Sequence, residues 1–114
     1  MTLTIYHNPR CSKSRQTLAL LEEKGVRPRV VEYLKTPPDP ATLAKLAAAL
    51  GGARAMLRQG EKEYAELGLA DAKKTEQALL QAMHRHPILI ERPIVTDGKR
   101  AVIGRPPEAV LALL

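Results

Sequence analysis

The chain has 114 residues, 45% of them apolar and 26% charged, and a formal charge of +6. That length supports one hydrophobic core rather than two, and no apolar run approaches the ~18 residues that would cross a bilayer. Phe and Trp are absent and only three Tyr are present, so Leu, Val, Ile and Ala must build the core, and there are few aromatic platforms for bases. The positive charge is therefore expected to serve something other than nucleic acid.

Leu3, Ile5 and His7 alternate with Thr4 and Tyr6, which predicts a short strand ending at Asn8-Pro9. A helix is expected from Cys11 or Ser12 to Lys24, with Gly25 as its stop. Arg29 to Leu34, with Val30, Val31 and Tyr33, predicts a second strand. Thr36-Pro37-Pro38-Asp39-Pro40 is a rigid connection. Leu43, Leu46, Ala47 and Leu50 recur with helical spacing, and Gly51-Gly52 closes that helix. Gly60 and Gly68 limit residues 53–74 to short helices, and a longer one spans Thr75 to Arg85. Strands at Pro93–Val95 and Arg100–Ile103 flank Asp97-Gly98, a hairpin signal. Pro106-Pro107 suits the first turn of a last helix carrying Val110, Leu111 and Leu114.

The order β-α-β, helical block, β-β-α is what an α/β, thioredoxin-like fold requires. A four-stranded mixed sheet is expected in a single domain over residues 1–114, with an all-helical insertion at about 40–86. A lone Cys forms no internal disulfide, and the N-terminus lacks the pattern of an export signal, so a cytoplasmic location is expected.

Cys11 then falls at the carboxyl end of the first strand and the start of the first helix, where ligands bind in open α/β sheets. Most lone cysteines are small buried apolar side chains. The neighbours here are polar instead: Arg10, Lys13 and Arg15 surround Cys11, and no acidic residue precedes Glu22. The helix dipole, the unpaired amides of the first turn and those cations all favour thiolate over thiol. In Cys11-Ser12-Lys13-Ser14, Ser14 stands where a dithiol motif has its second Cys. With no resolving thiol in the chain, release of an oxidised Cys11 needs an outside thiol such as glutathione or a glutaredoxin. Ser14 either hydrogen-bonds the sulfur or an oxyanion, or satisfies amides of the first turn.

The segments Tyr6-His7-Asn8-Pro9-Arg10-Cys11-Ser12-Lys13-Ser14-Arg15, Tyr33-Leu34-Lys35-Thr36-Pro37-Pro38 and Glu66-Leu67-Gly68-Leu69 resemble the ArsC family. So do His86-Pro87-Ile88-Leu89-Ile90-Glu91-Arg92-Pro93-Ile94-Val95 and Gly104-Arg105-Pro106-Pro107-Glu108, in the same order from end to end. The resemblance is to glutaredoxin-coupled arsenate reductases and their relatives, and the Cys-Ser-Lys-Ser form is similar to an ArsC-like branch of them. It implies a catalytic Cys11, with Arg58, Arg92 and Arg105 binding the substrate oxyanion through forked, permanently charged donors. It also implies electrostatic support of the thiolate by His7, a cis Pro93, glutathione as co-substrate with no bound cofactor, and glutaredoxin as partner. The implied reaction reduces arsenate or a similar oxyanion to arsenite.

Two other readings fit parts of the sequence. One is a regulator resembling Spx, an RNA-polymerase-binding protein of the same fold. Ser14 in place of a second Cys argues against its redox switch. The other is a monothiol transferase acting on glutathione mixed disulfides, for which Cys-x-x-Ser suffices. A metal site is not expected, since His84 and His86 are two apart and share no helix face. His84, Arg85 and His86 instead suit a helix C-terminus.

Overall fold

The computed structural model describes residues 2–114. The chain divides into two compact units, residues 2–36 with Arg92–Leu114, and Pro37–Glu91.

The first unit is built on a four-stranded mixed sheet, ordered β2-β1-β3-β4. Strand β1 (Thr4–His7) leads into helix α1 (Ser12–Glu23) and returns as β2 (Arg29–Glu32), parallel to β1. Strands β3 (Ile94–Thr96) and β4 (Ala101–Ile103) form the closing hairpin, with β3 antiparallel to β1. Alternation along β1 buries Ile5 and His7. Leu3, Ile5, Leu21, Val95, Val110 and Leu113 form the core of this unit. Strand β2 ends at Glu32, two residues before the predicted end, because the amides of Lys35 and Thr36 both turn back onto the Glu32 carbonyl at 2.9 Å.

The segment Pro107–Leu113 is a 3-10 helix where a regular helix was expected. Ala109 N–H reaches the Pro106 carbonyl at 3.0 Å and Leu114 N–H the Leu111 carbonyl at 3.1 Å. This three-residue closure is common in short pieces at the ends of chains and helices.

The second unit holds α2 (Pro40–Leu50), α3 (Lys62–Glu66) and α4 (Glu76–Arg85), with 3-10 turns at Ala53–Met56 and Pro87–Leu89. Asp39 caps α2 through Thr42 N–H at 2.8 Å, so the end of the proline-rich connection is already the helix start. Gly51 closes α2 at φ 94°, a left-handed conformation that costs a glycine little. Thr75 caps α4 by accepting from Ala78 N–H at 3.1 Å. An isolated antiparallel bridge, Leu57 to Ile90, adds a non-helical element that the sequence did not announce. Among the described residues no helix is long and apolar enough to cross a membrane.

Candidate active site

Cys11 is the N-cap of α1, half-buried, with extended backbone (φ −91°, ψ 123°). Its own amide donates to the Asn8 carbonyl at 3.0 Å, and its carbonyl accepts from Arg15 N–H at 3.0 Å, so a tight turn sets the thiol. The Cys11 side chain makes no capping hydrogen bond. The amides of Ser14 and Lys13 nevertheless act on the sulfur electrostatically.

Burial alone pushes the Cys11 thiol up. The Ser14 amide, the Arg92 guanidinium and the Lys13 amide outweigh it, and the net pKa lies below the ordinary 9.0. The sequence pointed to the side chains of Arg10, Lys13 and Arg15 as the chief cations. The structure keeps the expected first-turn amides, makes Arg92 the effective cation in place of those three, and turns Arg15 onto the Pro9 carbonyl at 3.0 Å.

Ser14 is fully buried. Its Oγ lies 2.6 Å from His7 Nδ1 and accepts from Asn8 N–H at 3.0 Å. The hydroxyl keeps a second lone pair as well as its hydrogen, so it donates to the imidazole or accepts from it according to the His7 tautomer. Burial lowers the pKa of His7 below 6.5; Glu32 opposes that shift and Arg15 reinforces it. At neutral pH His7 is thus uncharged, and it holds the hydroxyl of the residue whose amide faces the thiol. Asn8 Oδ1 also accepts from Arg10 N–H at 3.0 Å, fixing the turn from within.

Two arginines come to Cys11 from the far end of the chain. Arg105 Nη2 lies 3.6 Å from Cys11 Sγ, and its Nε donates to the Arg92 carbonyl at 2.9 Å. The Nε and Nη1 of Arg92 are buried and have no hydrogen-bond partner. Buried guanidinium donors without a partner are costly, and they point to an anion that completes them. The Arg92–Pro93 bond is cis, and so is Arg105–Pro106.

The structure thus brings His7, Cys11, Ser14, Arg92 and Arg105 together in the first unit. Arg58 belongs to the second, where Nε meets Glu61 Oε2 at 3.3 Å and Nη1 meets Glu91 Oε2 at 3.8 Å. His84 Nδ1 lies 2.9 Å from the Pro38 carbonyl. Among the described residues no group of three or more His, Cys, Asp or Glu could hold a metal ion.

Sequence reasoning missed Thr17 and Gly104. Thr17, fully buried, donates through Oγ1 to the Lys13 carbonyl at 2.8 Å. A Cβ at Gly104 would sit 2.6 Å from Thr17 Oγ1 and 2.8 Å from Pro93 Cγ. Only a residue without a side chain lets β4 meet α1 and Pro93 this closely, and the next residue is Arg105. The Gly-Arg-Pro run was visible in the sequence, but nothing local tied its glycine to Thr17.

A mixed α/β sheet with one low-pKa thiol at the start of its first helix defines the thioredoxin-like class of thiol proteins. The ArsC family profile matches residues 6–113. The chain is 58% identical over 112 residues to the Uncharacterized protein YfgD of Escherichia coli K12, covering 96% of this chain and 94% of that protein. It is 48% identical over 115 residues to an arsenate reductase of Rhizobium meliloti, covering 100% and 82% respectively. A solved arsenate reductase from Vibrio cholerae superimposes with a TM-score of 0.96 at 52% identity, covering 100% of this chain and 98% of that one. The chain belongs to the ArsC family and is an oxidoreductase of the arsenate-reductase type.

Proposed function

We propose that the chain reduces arsenate, or a tetrahedral oxyanion like it, to arsenite through an adduct on Cys11, with glutathione and a glutaredoxin as reductants. The observation that carries this reading is the pair of buried, unpartnered donors on Arg92 beside a thiol of lowered pKa. Relatives named arsenate reductase support the choice of oxyanion.

In the first step Arg92 and Arg105 hold the anion, and the Cys11 thiolate attacks arsenic and displaces one oxygen, which leaves as water after protonation. Arg58 enters as a third contact on the family resemblance alone. Glutathione thiol then attacks the Cys11 sulfur. The sulfur–arsenic bond breaks, its electron pair stays on arsenic as As(V) becomes As(III), and a Cys11–glutathione disulfide forms. Two thiols have supplied the two electrons. A glutaredoxin thiol takes the glutathione by exchange and frees Cys11. His7 and Ser14 position the Ser14 amide that stabilises the thiolate. No bound cofactor takes part, and the need for reduced glutathione suits a reducing cytoplasm.

Turnover of arsenate with reduced glutathione and glutaredoxin, followed as disulfide formed and arsenite released, tests the proposal. Wild-type protein should turn over, and Cys11→Ser should not. Turnover surviving in Cys11→Ser would place the chemistry elsewhere.

A further inference from the structure

The end of β1 has two flanks, and the proposed oxyanion site uses one of them. Strand β1 lies between β2 and β3. Tyr6 pairs with Ile94 of β3, and Arg92 lies two residues before Ile94, so the arginine reaches Cys11 from the β3 side. On the other side His7 pairs with Glu32 of β2. There the structure has a cavity of about 210 Å³ lined by His7, Pro9, Arg10, Glu32, Leu34 and Lys35. Apart from His7, the oxyanion chemistry uses none of these residues.

The wall of this cavity has a definite charge pattern. Arg10 and Lys35 bring two cations and Glu32 one carboxylate, 3.5 Å from Lys35 Nζ. Pro9 and Leu34 are apolar, and Leu34 is 41% exposed. That pattern is the complement of a small molecule with two carboxylates, one ammonium and a short apolar stem. The cavity adjoins the turn that holds the nucleophile, because Asn8, whose carbonyl accepts the Cys11 amide, lines it too. The chain has a single Cys, so the second thiol must come from solution and must approach a sulfur whose β3 flank the oxyanion occupies.

We propose that this cavity seats the thiol reductant, a peptide-like thiol with two carboxylates and one ammonium. The carboxylates pair with Arg10 and Lys35, the ammonium with Glu32, and the stem packs on Pro9 and Leu34. Glutathione has this chemistry. The inference rests on the proposed function in taking an external thiol as the partner of Cys11 and an oxyanion on the β3 flank, and it does not depend on which oxyanion is reduced.

Disulfide exchange without oxyanion tests it. The Cys11 thiolate attacks oxidised glutathione; the probe's sulfur–sulfur bond breaks, the Cys11–glutathione bond forms and one glutathione thiolate leaves. The rate is compared with that of 2-hydroxyethyl disulfide, which is uncharged, in wild type, Lys35→Glu and Arg27→Glu. Arg27 precedes β2 at the opposite end of the strand and matches the charge change. Lys35→Glu should slow oxidised glutathione by about fivefold, as expected for one lost contact at an exposed lysine with the charge reversed. Its rate with the uncharged disulfide should hold within about twofold, and Arg27→Glu should change neither rate.

Equal slowing by Arg27→Glu would reduce the effect to the general field of the protein and overturn the proposal. Equal slowing of both disulfides, or of neither, would overturn it as well. Charge-selective exchange in a protein that fails to reduce arsenate would refute the oxyanion reading and keep the cavity. Arsenate reduction without that selectivity would do the reverse.

Discussion

Replacing Arg92 with Lys keeps a positive charge and removes the planar fork. Arg92 Nε and Nη1 are the buried donors that lack a partner, and an ammonium on a flexible stem cannot present both from the same place. A hydrogen bond to a charged group contributes roughly 1.5–3 kcal/mol, and ~1.4 kcal/mol is a factor of ten in rate. Loss of one such bond to the oxyanion should lower kcat/KM for arsenate by roughly ten- to a hundredfold. Arg92 also depresses the Cys11 pKa, so the variant's thiol should titrate higher, and its reactivity should fade at a higher pH as the solution is acidified. The two effects separate if alkylation by a neutral reagent is followed across pH. On the alkaline plateau, where both proteins are fully thiolate, wild type and variant should react at nearly the same rate. A plateau that falls as far as kcat/KM would show that Arg92 tunes the nucleophile and does not hold the anion. An unchanged kcat/KM would remove Arg92 from the site.

Three further outcomes are expected. Ser14→Ala removes the buried acceptor of Asn8 N–H and the partner of His7, so it should cost roughly 1–3 kcal/mol and roughly 4–10 °C in Tm; the thiol pKa, set by the Ser14 amide rather than its hydroxyl, should stay low, and a return to 9.0 in a thiolate-absorbance titration would refute that division. Gly104→Ala overpacks the meeting of Thr17 and Pro93, at a cost of roughly 1–3 kcal/mol, and should raise KM for the oxyanion by displacing Arg105; stability lost with KM unchanged would limit Gly104 to packing. Asp97 accepts from the Lys99 and Arg100 amides at 2.9 and 2.7 Å, which lowers its pKa from 3.8 to about 2. A carboxylate depressed in the folded state stabilises above its unfolded pKa and loses that contribution as pH falls through the folded one, so the stability gap between wild type and Asp97→Ala should close across that window in urea titrations.

Legibility followed how local each signal was. Strand β1, the start of α1 at Cys11, the α2 periodicity and the Asp97-Gly98 hairpin all rest on residues close in sequence, and the structure has them within a few positions. The end of β2 was misplaced because Val31, Tyr33 and Leu34 read as strand, while the two bonds to the Glu32 carbonyl that turn the chain leave no mark in composition. The thiol's placement and the part played by the first-turn amides were legible, but the cation that lowers its pKa was not. Cations adjacent in sequence stood out, whereas the effective one, Arg92, arrives through β3 from far along the chain. Likewise nothing near Gly104 names Thr17. Such long-range partners appear only once the sheet has assembled.

The mass of the intact protein after incubation with arsenate and reduced glutathione, with glutaredoxin withheld, tests the central claim most directly. Cys11 should accumulate as a mixed disulfide, so the mass should rise by one glutathione less two hydrogens, with one arsenite released per chain. Added glutaredoxin should then restore the starting mass. Arsenite released from a protein whose mass never changes, or a glutathione adduct that forms equally fast without arsenate, would contradict reduction through a Cys11 adduct.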